Sequence, residues 1–169
     1  MAENIILKAR IAKMQMAEPI TAAEDVAAVV WEDLPLTLRD DAVEIAEGDP
    51  EESEVYSHEN DATEDYDIAG SGIKASGSFI KVGYDQLVAL LGGAKVGTDP
   101  NTKFHKSAKK LLLNKALRFE LKNGGEIIIP NAKGFVNTSL SVGYGGISKF
   151  PFKFAALPAS ATWDCDIIW

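Results

Sequence analysis

Cysteine occurs once, at Cys165, and histidine only at His58 and His105. A lone thiol excludes an intramolecular disulfide and leaves no thiolate zinc cluster of any usual spacing. Neither histidine has a second histidine or cysteine four residues on, so a local metal pair is missing and both read as solvated side chains. Long apolar runs are scarce as well. No segment approaches the roughly 20 apolar residues of a membrane span. The N-terminal MAENIILKAR has an apolar run of only three residues before Lys8, too short for a signal-peptide core. The expectation is a chain that folds in the cytosol, without membrane segment, cofactor or metal.

Signatures of catalysis are missing too: there is no G-x-S-x-G, H-E-x-x-H or P-loop. Gly70-Ser-Gly72-Ile-Lys-Ala75 has the spacing of a dinucleotide fingerprint, but that motif must open a helix. Here Ser76-Gly77-Ser78-Phe79 continues as strand, so a turn is expected. Asp61, Thr63, Asp65 and Asp67 have EF-hand spacing, yet Tyr66 stands at the glycine position and Gly72 at the bidentate-glutamate position. Carboxylate pairs are too abundant to nominate an acid or a base. The chain reads as a non-enzyme.

The most informative gap is in positive charge. No lysine or arginine lies between Arg39 and Lys74, while thirteen of the 25 carboxylates fall from Asp40 to Asp67. Residues 1–67 carry four basic and nineteen acidic side chains; residues 68–169 carry thirteen and six. Such a two-ended chain lets an acidic surface of one copy meet a basic surface of another, so head-to-tail self-association is expected. Glu51, Glu52, Glu54, Asp61, Glu64 and Asp65 are the acidic candidates. Lys103, Lys106, Lys109, Lys110 and Lys115, the densest basic cluster, are their counterparts. The plainer alternatives, a solvated acidic loop over about 40–67 and a solvated basic face, stay open. So does a monomeric module whose acidic loop captures a cationic or calcium ligand. A net charge of −8 argues against a protein that neutralises nucleic-acid phosphates, though not against a wall that DNA slides past.

With 46% hydrophobic residues in 169, one domain with appendages is expected. Ile5 to Met16 alternates as a strand, with a phase slip after Ala12 that predicts a bulge. Thr21-Ala-Ala-Glu24 has capping-box spacing before Val26, Val29 and Val30, against which the β-branched valines weigh. Trp31 to Leu38 reads as extended, with Pro35 suited to an edge or a turn. Ile68 to Val82 resumes as strand. Asp85 is placed as the cap of a short helix carrying Leu87, Val88, Leu90 and Leu91, ended by Gly92-Gly93. Lys115 to Pro130 reads as a hairpin around an Asn123-Gly124-Gly125 loop, which sets Leu121 opposite Ile127, Phe119 opposite Ile129 and Lys122 opposite Glu126. Val136 to Phe154 reads as a second hairpin turning at Gly145-Gly146. Two long hairpins in succession predict an antiparallel sheet. The tail ends in Ile167, Ile168 and Trp169, which are expected to be covered by the core or by a neighbour.

Lys115-Ala-Leu-Arg-Phe-Glu-Leu-Lys-Asn-Gly-Gly-Glu-Ile-Ile-Ile-Pro-Asn-Ala-Lys133 resembles the central hairpin of major tail tube proteins of tailed bacteriophages and prophages. In that family a K-S-hydrophobic-R-hydrophobic strand leads through a glycine turn to an I-P-x-A-K segment. Val43 to Pro50 and Glu54 to Asp61 resemble its T-E-E-x-P and Y-S-E-E-x-D stretches, Leu87 to Gly93 its L-x-x-L-x-G-G helix end, and Gly146 to Leu157 its last strand. The resemblance covers about residues 40–157 and rests on the order of these motifs. Ala116 stands where serine is usual, and Asn131 where arginine is usual. It implies a mainly β chain, an antiparallel β-sandwich with one short flanking α-helix, an N-terminal arm (about 1–38) and a C-terminal arm (158–169). It further implies hexameric rings stacked into a tube in the virion tail, assembled in the host cytoplasm, with other tail proteins as partners and DNA passing the lumen without specific binding. An inner-tube or tail-ring protein of a contractile injection system is the close alternative.

Overall fold

The structure, a computed structural model, describes residues 9–56, 63–70 and 72–169. Strand accounts for 45% of the chain and helix for 10%, in antiparallel sheets, so the mainly β expectation holds. β1 (Ile11–Ala17), β10 (Leu113–Leu121), β11 (Glu126–Val136), β12 (Phe150–Ala156) and β7 (Ile73–Ile80) are neighbours in the main sheet. Its ends are β2 (Glu32–Asp33) beside β1 and β3 (Leu36–Thr37) beside β7, with β4 (Glu44–Glu47) also on β7. Only Leu34 and Pro35 separate β2 from β3. The Leu34 N–H donates to the Met14 carbonyl and the Leu38 N–H to the Ser78 carbonyl, each at 2.9 Å. One extended segment is therefore bonded to both ends of the sheet, and the sheet closes on itself. Pro35, which has no N–H to offer, stands where the segment changes partner.

Inside lies one apolar cluster. Met14, Phe79, Phe119, Leu117, Ile129, Val136 and Phe152 are buried there, and Phe79 stacks on Phe152 at 4.5 Å between centroids. The short helix α1 (Tyr84–Leu91) adds Leu87, Leu90 and Leu91 to this cluster. Each large side chain so buried stabilises the fold by about 1.5–3 kcal/mol. A smaller cluster, Ala17, Ile20, Ala116 and Ile128, is covered by Val26, Val29, Trp31, Trp163 and Ile168. The N-terminal segment and the C-terminal tail thus pack on a shared patch, and the Ile168 N–H and C=O both bond Ile128 at 2.8 Å. Ile167 and Ile168 are covered as expected, whereas Trp169 stands exposed.

Several local expectations are corrected. β1 begins at Ile11 with the anticipated irregularity between Ile11 and Lys13; Ile5 to Lys8 lie outside the described residues. Thr21 does not cap a helix: a 3-10 helix over Ala23–Ala28 follows Ala22, with no side-chain cap, and it stops before Val29 and Val30, whose β-branched side chains disfavour helix. The cap of α1 is Gly83, not Asp85, and the Gln86 Oε1 accepts the Gly83 N–H at 3.1 Å. As expected, the GxGxxA run leads into β7 rather than a helix; Thr63–Ala69 is strand.

The β10–β11 register differs by two residues from the expected one: Phe119 faces Ile127, Leu117 faces Ile129, and Glu120 faces Glu126. Gly124 is the reason. It is the residue at φ 88°, the left-handed slot that closes a three-residue hairpin loop, so the loop is Lys122-Asn123-Gly124. The Leu121 N–H then reaches the Gly125 carbonyl at 2.9 Å and the Gly124 N–H the Leu121 carbonyl at 3.1 Å. A shift of two keeps every apolar side chain on its face. Arg118 offsets the facing carboxylates, 2.7 Å from Glu126 and 3.6 Å from Glu120.

Candidate assembly surfaces

Two short hairpins stand apart from the main sheet. Among the described residues β5 (Glu51–Tyr56) pairs only with β6 (Thr63–Ala69), and β8 (Gly93–Val96) only with β9 (Lys103–Lys106). Where a solvated loop over 40–67 was the plain reading, the acidic stretch contains paired strands. β5 and β6 hold six carboxylates and no cation; β8 and β9 hold three lysines and no carboxylate. Part of the charge partition, six of the nineteen carboxylates of residues 1–67 and three of the thirteen cations of residues 68–169, therefore lies on two separate hairpins.

Glu51, Glu52 and Glu54 all lie on β5 and are exposed, as is Ser53 between them. Successive residues of a strand point to opposite faces, so both faces of this end of the hairpin meet solvent. Glu64 and Asp65 belong to β6, with Asp65 opposite Val55 and a register shift between there and Thr63. Asp61 and His58 lie outside the described residues.

The five lysines divide. Lys103 and Lys106 lie on β9 and Lys109 follows it, all exposed. Among the described residues these three enter no salt bridge. Lys110 turns back instead, its Nζ bonded to the Val136 carbonyl at 2.8 Å and lying 5.2 Å from the Phe135 ring centre. Lys115 is on β10 and pairs with Glu18 of its own chain. The basic candidate surface is thus Lys103, Lys106 and Lys109. Lys95 on β8 is engaged by Asp85 at 3.2 Å.

A polar clamp went unnoticed in the sequence. The buried Ser78 hydroxyl donates to Asp41, and Lys149 Nζ lies 3.2 Å from the same carboxylate. The Ser78 bond first, and then Lys149, hold the Asp41 carboxyl below its ordinary value. At the other end of the closing segment Asp33 accepts from Gln15 Nε2 at 2.6 Å and from Lys13 Nζ at 3.2 Å, which lowers it likewise. Among thirteen acids nothing in spacing marked Asp41. The Cys165 thiol is pushed up, first by burial and then by Asp166, which disfavours a nucleophilic thiolate. Among the described residues no cluster of three or more potential ligands gathers around a metal position, and no helix is long and apolar enough to cross a membrane. No protein-family model matches this sequence, and no curated protein is similar to it.

Proposed function

We propose that the chain is a structural subunit of a bacteriophage tail tube, a tail-tube-like β-sandwich that self-assembles into stacked, hexameric rings whose lumen conducts DNA. The observation that carries this reading is the segregation of charge onto two hairpins outside a closed sheet. A closed sheet leaves no long edge for association through strand pairing. Association must then run through appended elements, and here those elements carry opposite charge. A contact between different patches of identical subunits is heterologous, and repeated along an axis it builds rings or filaments. The order of sequence motifs over residues 40–157 supports the tail tube among such assemblies. Carboxylates that remain exposed toward a lumen would repel DNA phosphates, because nonspecific binding grows with each cation that releases a counterion. The mechanism is low-friction passage.

Charge reversal tests the reading. Glu51→Lys, Glu52→Lys and Glu54→Lys together should remove the large stacked species that the parent forms in sedimentation velocity at low salt. Mixing this variant with Lys103→Glu, Lys106→Glu, Lys109→Glu should restore them. Stacked species of the parent's size in the first variant alone would return both hairpins to solvated surface.

A further inference from the structure

Between Lys133 and Lys149 the chain carries no charged residue, and its middle does not pack. The sequence pattern predicts that Leu140, Val142 and Tyr144 continue an inward-facing strand. Pairing instead stops at the Ser139–Lys149 bridge, because the core ends at Val136 and Phe152 and no layer lies beyond them to cover further side chains. Leu140 is 67% exposed, Val142 99%, Tyr144 111% and Ile147 56%. Four large exposed apolar side chains lie within eight residues at this tip, the kind of surface that marks an interaction site when it is contiguous. The tip is preformed. Ser139 and Lys149 exchange two backbone bonds at 2.9 Å, the Ser141 N–H bonds Ser148 Oγ at 3.1 Å, and the Gly146 N–H bonds the Gly143 carbonyl at 3.1 Å. A preformed loop loses less conformational entropy on docking.

The stem below the tip is basic. Lys133 and Lys153 alternate with the buried residues of β11 and β12 and are exposed, whereas Lys110 and Lys149 above them are already engaged, by the Val136 carbonyl and by Asp41. A surface of complementary character lies elsewhere on the same chain. Ala17, Pro19, Ile20, Ala28, Val29 and Val30 line an open groove of about 390 Å³ beside the 3-10 helix, with Val30 84% exposed; Asp25 and Glu18 line it too, Glu18 being paired with Lys115 of its own chain. We infer that the uncharged 140–147 tip of one copy seats in the 17–30 groove of a second copy, its lysine-bearing stem meeting the groove's acidic side chains. This rests on the self-assembly proposed above and adds a second contact to it. The hairpin contact is electrostatic and weakens with salt; the tip contact is mainly apolar and persists.

Cysteine cross-linking tests the pairing directly. With Cys165→Ser as background, Val30→Cys with Val142→Cys in one chain places a thiol on tip and on groove. Under mild oxidation in about 1 M salt, where screening acts beyond about 3 Å, this variant should give a ladder of covalent oligomers, and either single variant nothing above a dimer. Separately, Val142→Ser with Tyr144→Ser should raise the concentration for half assembly by at least about tenfold, with circular dichroism and melting temperature unchanged since both side chains are exposed. If the parent never assembles, the tube reading itself fails. If the parent assembles and the serine variant assembles equally, or the double-cysteine variant yields no ladder, the tip contact is overturned while the hairpin contact stands. Binding of the parent, but not the serine variant, to phosphatidylcholine vesicles with no effect on assembly would also overturn it, in favour of a lipid surface.

Discussion

Asp33 and Asp41 fasten the two ends of the segment that closes the sheet, and both are held below the ordinary value of 3.8. A carboxyl depressed in the folded state contributes stability that is fully present above its unfolded value and is lost as pH falls through its folded value. Asp41→Asn should therefore lower the melting temperature at neutral pH. The gap from the parent should then narrow once pH drops below about 4; a gap unchanged at pH 2 would show that the carboxylate's charge is irrelevant to the clamp. Glycines offer a second residue-scale test. A Cβ on Gly134 would overlap the Lys153 carbonyl and lie 2.6 Å from Phe154 Cδ1, whereas one on Gly143 meets nothing within 4 Å. Gly134→Ala should be destabilising by about 1–3 kcal/mol in urea unfolding, and Gly143→Ala should stay within about 0.5 kcal/mol.

Among the elements, β5–β6 pairs with nothing in the main sheet, and its ends are already close, the Gly48 N–H lying 3.3 Å from the Gly72 carbonyl. Replacing residues 49–71 by a short Gly-Ser link should leave the unfolding midpoint nearly unchanged and abolish stacking. A large loss of stability would make the hairpin part of the fold instead. How far such elements were legible depended on whether local chemistry or distant packing decided them. Alternation placed β7, β10 and β12, whose main apolar face parity fixes; it did not show that β11 runs unbroken through Pro130 to Val136, or that Ala116 and Ile128 are buried in the second cluster under the terminal segments. The β10–β11 register was missed because matching Lys122 with Glu126 is worth less than placing Gly124 in the one slot of the loop that requires a positive φ. The closing of the sheet by residues 32–38 was invisible, since it depends on β1 and β7 lying at the two ends of one sheet. The tip at 140–147 looked like strand for the related reason that alternation cannot report where the core stops.

For the whole molecule, part of the charge partition falls on two hairpins separate from the main sheet, while Lys110 and Lys115 bond within their own chain. The proposed assembly therefore rests on a mainly β body with three appended elements: an acidic hairpin, a basic hairpin and an apolar tip. Their differing physics predicts two steps of disassembly, with stacking lost first as salt rises and the tip contact surviving longer. The central claim is self-assembly, and negative-stain electron microscopy of the purified protein at high concentration and low salt tests it most directly. Rings of uniform diameter and stacked tubes with an open lumen are the predicted result. A field of single, unassociated particles, with sedimentation confirming a monomer throughout, would contradict it.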